Sequence, residues 1–419
     1  MTNRAAVEGA LDDAHRAHWA LVVAATVRVV RDLDLAEECV QEAYAAALHS
    51  WPESGIPKNP AAWLTTTARR RGIDTVRRER TLRAKLPLLV EPEELVPDPV
   101  DRDRPEGSDA VVPDERMRLV FLCCHPALDQ DAQVALTLRL VCGVSTADVA
   151  RAFLVPEATM AARLTRAKRK IAGSRIPYRL PGPAELPARL ESVLGVVHLL
   201  FTTGHTAPSG PDLMRPELLD AALRLARMLR ELVPDEPEVA GLLALLLATD
   251  ARRRTRLSPT GRLLRLAEQD RSRWDHAALA EASVLVRAAL PRRGAGRYVL
   301  QAAIACLHAE APTSAGTDWP QVVALYDALL VVWPSPVVAL NRAVALAEVA
   351  GPATALAQVQ VLARDGALQR YPYLPAVEAD LLRRLGRGTE AADAYRRALE
   401  LTSNQAERTF LTEQIAALS

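Results

Sequence analysis

The stretch from Leu136 to Ile171 reads LTLRLVCGVSTADVARAFLVPEATMAARLTRAKRKI, and its pattern predicts two helices joined by a short break. Ser145 is a favourable N-cap, and Asp148 takes the place of the capping-box partner three residues later. Pro156 separates the helices, because proline is tolerated only at or just before a helix start. Such a pair is typical of a helix-turn-helix, whose second helix enters the DNA major groove.

The second helix of this pair has an apolar side and a basic side at helical spacing. The apolar side chains predicted to face the core are Met160, Leu164, Ala167 and Ile171. A solvated basic face on an ordinary helix pair is the alternative, but the break, cap and charge coincide here and favour DNA binding. The candidate DNA contacts are Thr159, Arg163, Arg166, Lys168, Arg169 and Lys170.

Composition predicts an all-α protein with several domains. A chain of 419 residues is too long for one core. Hydrophobic residues make up 49% but aromatic residues only 4%, which suits close helix packing through small side chains, and no alternating strand pattern is present. Residues 69–85 hold eight basic and two acidic side chains, whereas residues 86–113 hold eight acidic and two basic ones. Two basic blocks separated by an acidic tract indicate two nucleic-acid surfaces on separate modules.

The sequence predicts a cytoplasmic protein without catalytic or metal chemistry. Its first residues lack an uninterrupted apolar run, and the most apolar stretch, residues 241–248, is too short to span a bilayer. Five cysteines do not form a secreted disulfide framework. Cys123 and Cys124, and separately His15 and His18, suggest zinc, but further ligands at suitable spacing are missing, so buried thiols and an exposed helix start are favoured. The sequence has no P-loop, dinucleotide-binding glycine motif or zinc-hydrolase motif, so we expect no enzyme activity and no cofactor.

Two helices near the N-terminus carry opposite charges. The helix LAEECVQEAYAAALHSW is predicted to expose Glu37, Glu38, Gln41 and Glu42, either as a solvated face or as a docking surface for a basic protein. Asn59–Pro60 predicts the start of the next helix, which combines Trp63 with several arginines. Cations beside an aromatic ring suit an opened nucleic-acid strand, since phosphates are neutralised and a base can stack. An arginine-rich surface helix with a buried tryptophan is the alternative.

The chain beyond residue 178 reads as successive helices with short Pro or Gly breaks. Tyr326 and Tyr395 lie 69 residues apart, close to twice the 34-residue tetratricopeptide period. We therefore expect a tetratricopeptide-like array in the last hundred residues and a solenoid-like helical region over residues 180–310. Residues 266–282, which include Trp274 among alternating charges, are either an internal salt-bridged turn or a ligand-contacting patch.

Taken in order, these modules resemble regions 2 and 4 of bacterial sigma-70-family factors, most closely the extracytoplasmic-function (ECF) group. The resemblance rests on the strings Trp63-Leu64, Ala68-Arg69, Ile73-Asp74 and Arg77-Arg78, and on Thr159, Arg163-Leu164 and Arg166-Ala167. It implies region 2 at residues 1–85, an acidic linker at 86–112, region 4 at 113–178 and a helical extension at 179–419. It also implies that RNA polymerase core is a partner, with region 2 on the β′ clamp helices and region 4 near the β flap.

The same resemblance implies a role for each group of candidate residues. The polymerase-binding face is Glu37, Glu38, Gln41 and Glu42. The surface that melts the promoter −10 element is Asn59, Trp63, Arg69, Arg70, Arg71, Arg77 and Arg78. The surface for the −35 element is the set of second-helix residues given above, from Thr159 to Lys170.

Two functions fit these observations. The first is a sigma factor that directs RNA polymerase to promoters and assists melting. The second is a helix-turn-helix regulator on a repeat scaffold that never docks on polymerase. The basic block around Trp63 favours the first, because a plain repressor needs no strand-opening surface. The extension resembles that of an ECF subgroup lacking a membrane anti-sigma factor, and we expect it to contact the sigma core or to bind another partner.

Overall fold

The computed structural model describes residues 4–85, 112–153, 155–174, 176–290 and 295–418, and for residues 79–85 and 112–114 it describes the backbone alone. The chain divides into two compact units, Met1–Val196 and Val197–Ser419. The described residues form helices joined by turns, together with two-residue strands, which confirms the all-α prediction. Residues 86–111, most of the predicted linker, lie outside the described residues.

The first unit begins with three packed helices, α1 (Arg4–Val30), α2 (Leu33–Ser54) and α3 (Pro60–Lys85). Asn59 caps α3 as predicted, because its side-chain oxygen accepts a hydrogen bond of 3.0 Å from the Ala62 amide. Small residues allow α3 to approach α1 closely. A Cβ atom added at Gly72 would lie 2.4 Å from the side chain of Val30, so glycine is required there.

Five α-helices and one π-helical turn follow in the described part of this unit, and α8 continues into the second unit. A single turn of π-helix at Thr137–Val141 extends α5 directly. The α-helices are α4 (Val112–Cys123), α5 (Gln130–Leu136), α6 (Thr146–Phe153), α7 (Glu157–Gly173) and α8 (Leu186–His205).

The three N-terminal helices and the helix-turn-helix module share one core. α1 packs against α4 and against the π-helical turn. The buried indole of Trp19 donates a hydrogen bond of 3.1 Å to the backbone oxygen of Leu140. Gly143 has a φ of +71°, and a Cβ atom there would lie 2.7 Å from the His15 ring. The hydroxyl of Tyr178 donates to the backbone oxygen of Ala24 at 3.0 Å. The modules are therefore in direct contact within this unit.

The second unit is a succession of helices, each packed against its neighbours. α14 is interrupted at Gly351, which has a φ of 83°, so a new helical segment starts at Pro352. The first helices of three successive pairs then start at residues 319, 352 and 388, which are 33 and 36 residues apart. This spacing confirms the predicted repeat. The helices are α9 (Pro216–Leu232), α10 (Pro237–Asp250), α11 (His276–Ala289), α12 (Arg297–Glu310), α13 (Trp319–Val332), α14 (Pro336–Asp365), α15 (Tyr373–Arg384), α16 (Gly388–Leu401) and α17 (Gln405–Ala416).

The second unit also contains two short strands, and one of its helices, α14, is unusually apolar. Strands β1 (Ser209–Gly210) and β2 (Ser403–Asn404) pair in parallel. Among the described helices, α14 alone is long and apolar enough to cross a membrane by length and composition. This helix is interrupted at Gly351, and its Leu340 and Val359 are buried in the core of the second unit.

Candidate nucleic-acid interface

The helix-turn-helix forms as its local sequence predicts. The Ser145 hydroxyl donates a hydrogen bond of 2.6 Å to the Asp148 carboxylate and accepts one of 3.1 Å from the Asp148 amide, which fixes the start of α6. Pro156 stands immediately before α7. The four predicted core residues of α7 are all buried, namely Met160, Leu164, Ala167 and Ile171. Burial of this stripe orients the opposite side of α7 outward.

The outward side of α7 carries most of the predicted DNA contacts. Thr159, Arg166, Arg169 and Lys170 are exposed. Arg163 is half-buried, because its guanidinium bonds the Asp131 carboxylate at 3.0 Å and lies 5.4 Å from the centre of the Phe153 ring. A contact between Arg163 and a base therefore requires this side chain to leave Asp131.

Lys168 does not extend into solvent with the other basic residues. Its ammonium group lies 2.8 Å from Glu37 and 2.7 Å from Asp34, both on α2. Burial lowers the pKa of Lys168, but the hydrogen bonds to the two carboxylates outweigh it and raise that pKa above its ordinary value. Lys168 is thus a charged partner within the protein and is not available to a DNA phosphate in this arrangement.

Glu37 also differs from its predicted outward position. The residue is only 8% exposed, and its carboxylate bonds both Lys168 and Arg139 of the π-helical turn. A buried carboxylate is costly unless it is paired, and here two cations pair with it. Local sequence patterns carry no signal for the role of Arg139, because its partner Glu37 lies about a hundred residues away. We name this set of contacts, Asp34, Glu37, Arg139 and Lys168, the intermodule cluster.

The rest of the acidic face on α2 is open. Glu38, Gln41 and Glu42 are exposed, as predicted. Glu42 forms an ion pair with Arg71 of α3, so the acidic face meets the basic block at this point. Both side chains of that pair are about half exposed, so it contributes little to stability.

Near the start of α3, before its basic face, stands a tryptophan that belongs partly to the core. Trp63 is half-buried and packs edge-to-face on the buried Trp51, with ring centres 5.4 Å apart. Its partial burial agrees with the alternative of a tryptophan packed in the core, and its role in stacking on an opened strand stays a prediction. The arginines at positions 69, 70, 77 and 78 are exposed further along α3.

Among the residues that raised the question of zinc, Cys123, Cys124 and His15 pack in the core, whereas His18 is exposed. Cys123 and Cys124 are fully buried, and burial raises the pKa of Cys124 to about 12. The ring of His15 packs against Trp19 with centres 4.8 Å apart. Within the described ranges, no group of three or more His, Cys, Asp or Glu side chains is arranged to hold a metal ion.

Three protein families match consecutive segments of this chain. Residues 15–81 match sigma-70 region 2, residues 118–171 match sigma-70 region 4, and residues 189–290 match a family of unknown function, DUF6596. An uncharacterized protein of Rhizobium meliloti (strain 1021) is 43% identical over 400 residues, which is 94% of this chain and 92% of that protein. The crystal structure of yeast Tom70 covers 93% of this chain and 81% of its own, at 12% identity and a TM-score of 0.38, which is too low to inform the fold.

The helix-turn-helix and the basic, tryptophan-bearing helix lie in the segments that match sigma-70 regions 4 and 2, which places the chain among DNA-binding proteins of transcription initiation. The chain belongs to the sigma-70 family, as an ECF-type sigma factor with a helical C-terminal extension. Sigma-70 regions 2 and 4 imply RNA polymerase core and promoter DNA as partners, and proteins built from these regions are non-enzymatic initiation factors.

Proposed function

We propose that this protein directs RNA polymerase to a set of promoters in the cytoplasm, and that its free form is restrained by contact between its own two DNA-binding modules. The observation that carries the second part is the intermodule cluster, in which Lys168 of α7 is bonded to Glu37 and Asp34 of α2. Glu37 belongs to the predicted polymerase-binding face and Lys168 to the predicted −35 contacts, so both are needed for another partner.

The contact between the modules uses the same charged groups that the active form needs for DNA and polymerase. Lys168 cannot neutralise a phosphate while two carboxylates hold it, and Glu37 cannot meet polymerase while it is buried. Separation of the modules exposes four charges that water and new partners must then solvate. Polymerase supplies that energy by binding the exposed acidic face of α2, namely Glu38, Gln41 and Glu42.

On this proposal the two DNA surfaces act at different steps. The exposed side of α7 reads the −35 element in the major groove, where Arg166 and Arg163 contact base edges or phosphates. The basic face of α3 acts later, when Trp63 stacks on an unpaired base of the −10 element and the surrounding arginines hold the phosphates.

A transcription assay with purified core polymerase tests the assignment. The wild-type chain should support initiation at a promoter selected from genomic binding sites, and Trp63→Ala should retain closed-promoter binding with little permanganate-reactive DNA. Trp63→Phe is the matched control, because it keeps a ring against Trp51 and should restore most melting. Binding to DNA with no initiation by the wild-type chain would instead support a helix-turn-helix regulator that does not dock on polymerase.

The extension is proposed to set how readily the sigma core opens, in place of a separate anti-sigma protein. Repeat arrays present extended concave surfaces suited to a protein partner, and the sigma core is held nearby by the connecting chain. A chain that ends at residue 185, just before α8, should then transcribe at a different level in a system of polymerase and promoter alone. Equal transcription, with no binding between separately purified core and extension, would mean that the extension only recruits another protein.

A further inference from the structure

A cavity of about 410 Å³ lies within the C-terminal unit, among α8, α10, α12, α13 and α14. Small-molecule sites usually occupy roughly 300–1,000 Å³ and combine apolar walls with a few polar groups. The aromatic walls here are Trp274, Tyr326 and Trp333, and aliphatic side chains fill the spaces between them. The size and the walls therefore suit a small ligand with an apolar body.

One positive charge on the cavity wall has no partner among the residues that the structure describes. The Arg252 guanidinium makes no hydrogen bond or ion pair with any of them, although the backbone oxygen of Arg252 accepts from Thr255. Its neighbours differ: Arg253 bonds two carboxylates, and Arg256 bonds a carbonyl oxygen and a hydroxyl. Arg271 bonds two carbonyl oxygens. Burial, and then the positive charge of Arg271, lower the pKa of Arg252, so both effects favour an anion beside it.

The remaining polar groups of the cavity are neutral hydrogen-bonding groups. Gln301 and Asn341 contribute amides. His198 and His308 are uncharged at pH 7, since burial and nearby arginines lower the pKa of each to about 4. The Nδ1 atom of His308 is buried without a hydrogen-bond partner among the described residues. The net charge on the cavity wall is thus carried by Arg252. The neutral groups can help to orient a ligand, although the Gln301 amide nitrogen already donates to the backbone oxygen of Arg297 at 3.0 Å.

We propose that this cavity binds a small organic carboxylate, with the carboxylate on Arg252 and a flat or branched apolar body against Trp274 and Trp333. A guanidinium and a carboxylate match as a planar, two-bonded pair, and a single guanidinium balances a single negative charge. A phosphate ester would carry close to two negative charges and would need a second free cation. This site is separate from the DNA surfaces, and its binding can be measured without polymerase or promoter.

Calorimetric titration of the full-length protein tests the assignment with isovalerate, phenylacetate and indole-3-acetate, each beside its neutral amide. At least one acid should bind with a dissociation constant below about 1 mM, and its amide at least tenfold more weakly. Arg252→Gln should weaken the acid at least tenfold. Arg254→Gln is the matched control, because it removes the same charge from an exposed position two residues away and should change nothing.

Thermal unfolding separates loss of binding from loss of folding. Because Arg252→Gln removes a half-buried charge whose guanidinium has no partner among the described residues, the free variant should unfold at or above the wild-type temperature, and the acid should stabilise only the wild type. If the variant does not fold, Gln301→Glu supplies the second test, since it adds a carboxylate to the cavity at nearly equal volume and should also weaken the acid at least tenfold. Any of four results would overturn the proposal. The acid and its amide could bind equally, or the two arginine variants could bind the acid with equal affinity. Phenyl phosphate could bind more tightly than phenylacetate, or no acid could bind at all.

Discussion

Replacing Glu37 with glutamine should open the free protein, because it removes the central charge of the intermodule cluster at almost constant shape. The Glu37 side chain is 10% exposed and lies 2.8 Å from the Lys168 ammonium. After the change, Arg139 keeps a hydrogen bond of 3.1 Å to the backbone oxygen of Val144. Lys168 keeps only Asp34, whose side chain is 65% exposed. Two poorly compensated cations then remain in the contact between the modules.

The size of the effect follows from this burial. Removing one partner of a buried ion pair costs roughly 3–5 kcal/mol, and we expect about 3 kcal/mol because Lys168 retains Asp34. Each 1.4 kcal/mol is a factor of about ten, so the closed form should lose roughly a hundredfold relative to the open form. Lys168→Met leaves Glu37 paired with Arg139 and should cost about 1–2 kcal/mol. Asp34→Asn changes an exposed pair and should cost less than about 1 kcal/mol.

The pH dependence of the contact has a definite sign. Because the pKa of Lys168 is raised in the folded protein, the stability it contributes is fully present below about pH 10.5 and is lost as pH rises through that raised pKa. The contact should therefore be constant across the neutral range, and the variants can be compared at a single neutral pH.

Amide hydrogen exchange and DNA binding report the opening independently of polymerase. Exchange should accelerate in the π-helical turn most in Glu37→Gln, less in Lys168→Met and least in Asp34→Asn. Fluorescence anisotropy with a duplex −35 element should show tighter binding by Glu37→Gln than by the wild type, because Lys168 becomes available to phosphates. If Glu37→Gln matches Asp34→Asn in both measurements, the cluster does not hold the modules together and the reasoning is refuted.

Three further predictions concern single positions. Gly143→Ala should destabilise the first unit by about 1–3 kcal/mol, because its φ of +71° and the close His15 ring leave no room for a Cβ atom, and a urea midpoint equal to wild type would contradict this. Arg166→Ala should lose about 1–3 kcal/mol of discrimination between cognate and scrambled −35 elements, whereas Arg151→Ala, on the exposed side of α6, should lose none in competition binding. The depressed pKa of His308, about 4, means that stability of the second unit is lost as pH falls from 6.5 toward 4, by up to about 1.4 kcal/mol per pH unit, which differential scanning calorimetry at stepped pH would measure.

The parts of this fold that were predicted correctly depend on neighbours in sequence. The cap at Ser145, the break at Pro156 and the buried stripe of α7 each involve residues within a few positions of one another. The repeat of the second unit could also be predicted from the sequence, because similar segments recur at a regular spacing along the chain. Local rules of capping, helical period and repeat length were enough for these features.

The features that the sequence did not disclose are all contacts between distant segments. Glu37 shares a polar face with Glu38 and Gln41, and helical spacing alone places all three in solvent. Its partner Lys168 lies 131 residues further along the chain, so the burial of Glu37 depends on how the modules pack. The cavity in the second unit is similar, because Trp274 of an irregular segment meets Trp333 and Arg252 only after folding. In the irregular segment, Glu268 forms ion pairs with Arg262 and Arg265, and Trp274 lines the cavity, while contact with a ligand stays a prediction.

Because Glu37 and Lys168 share one contact, the binding of polymerase and the binding of DNA should be coupled. On the proposed function, polymerase draws Glu37 out of the intermodule cluster, which frees Lys168 for DNA. Binding free energies are reciprocal, so DNA that holds Lys168 must favour polymerase binding through Glu37 by the same factor. A partner that binds alone must supply the free energy that separates the modules. The second partner binds a protein that is already open and does not pay this cost again. The free protein would therefore bind either partner weakly and both together tightly, which suits a subunit that should recognise promoters only when attached to polymerase.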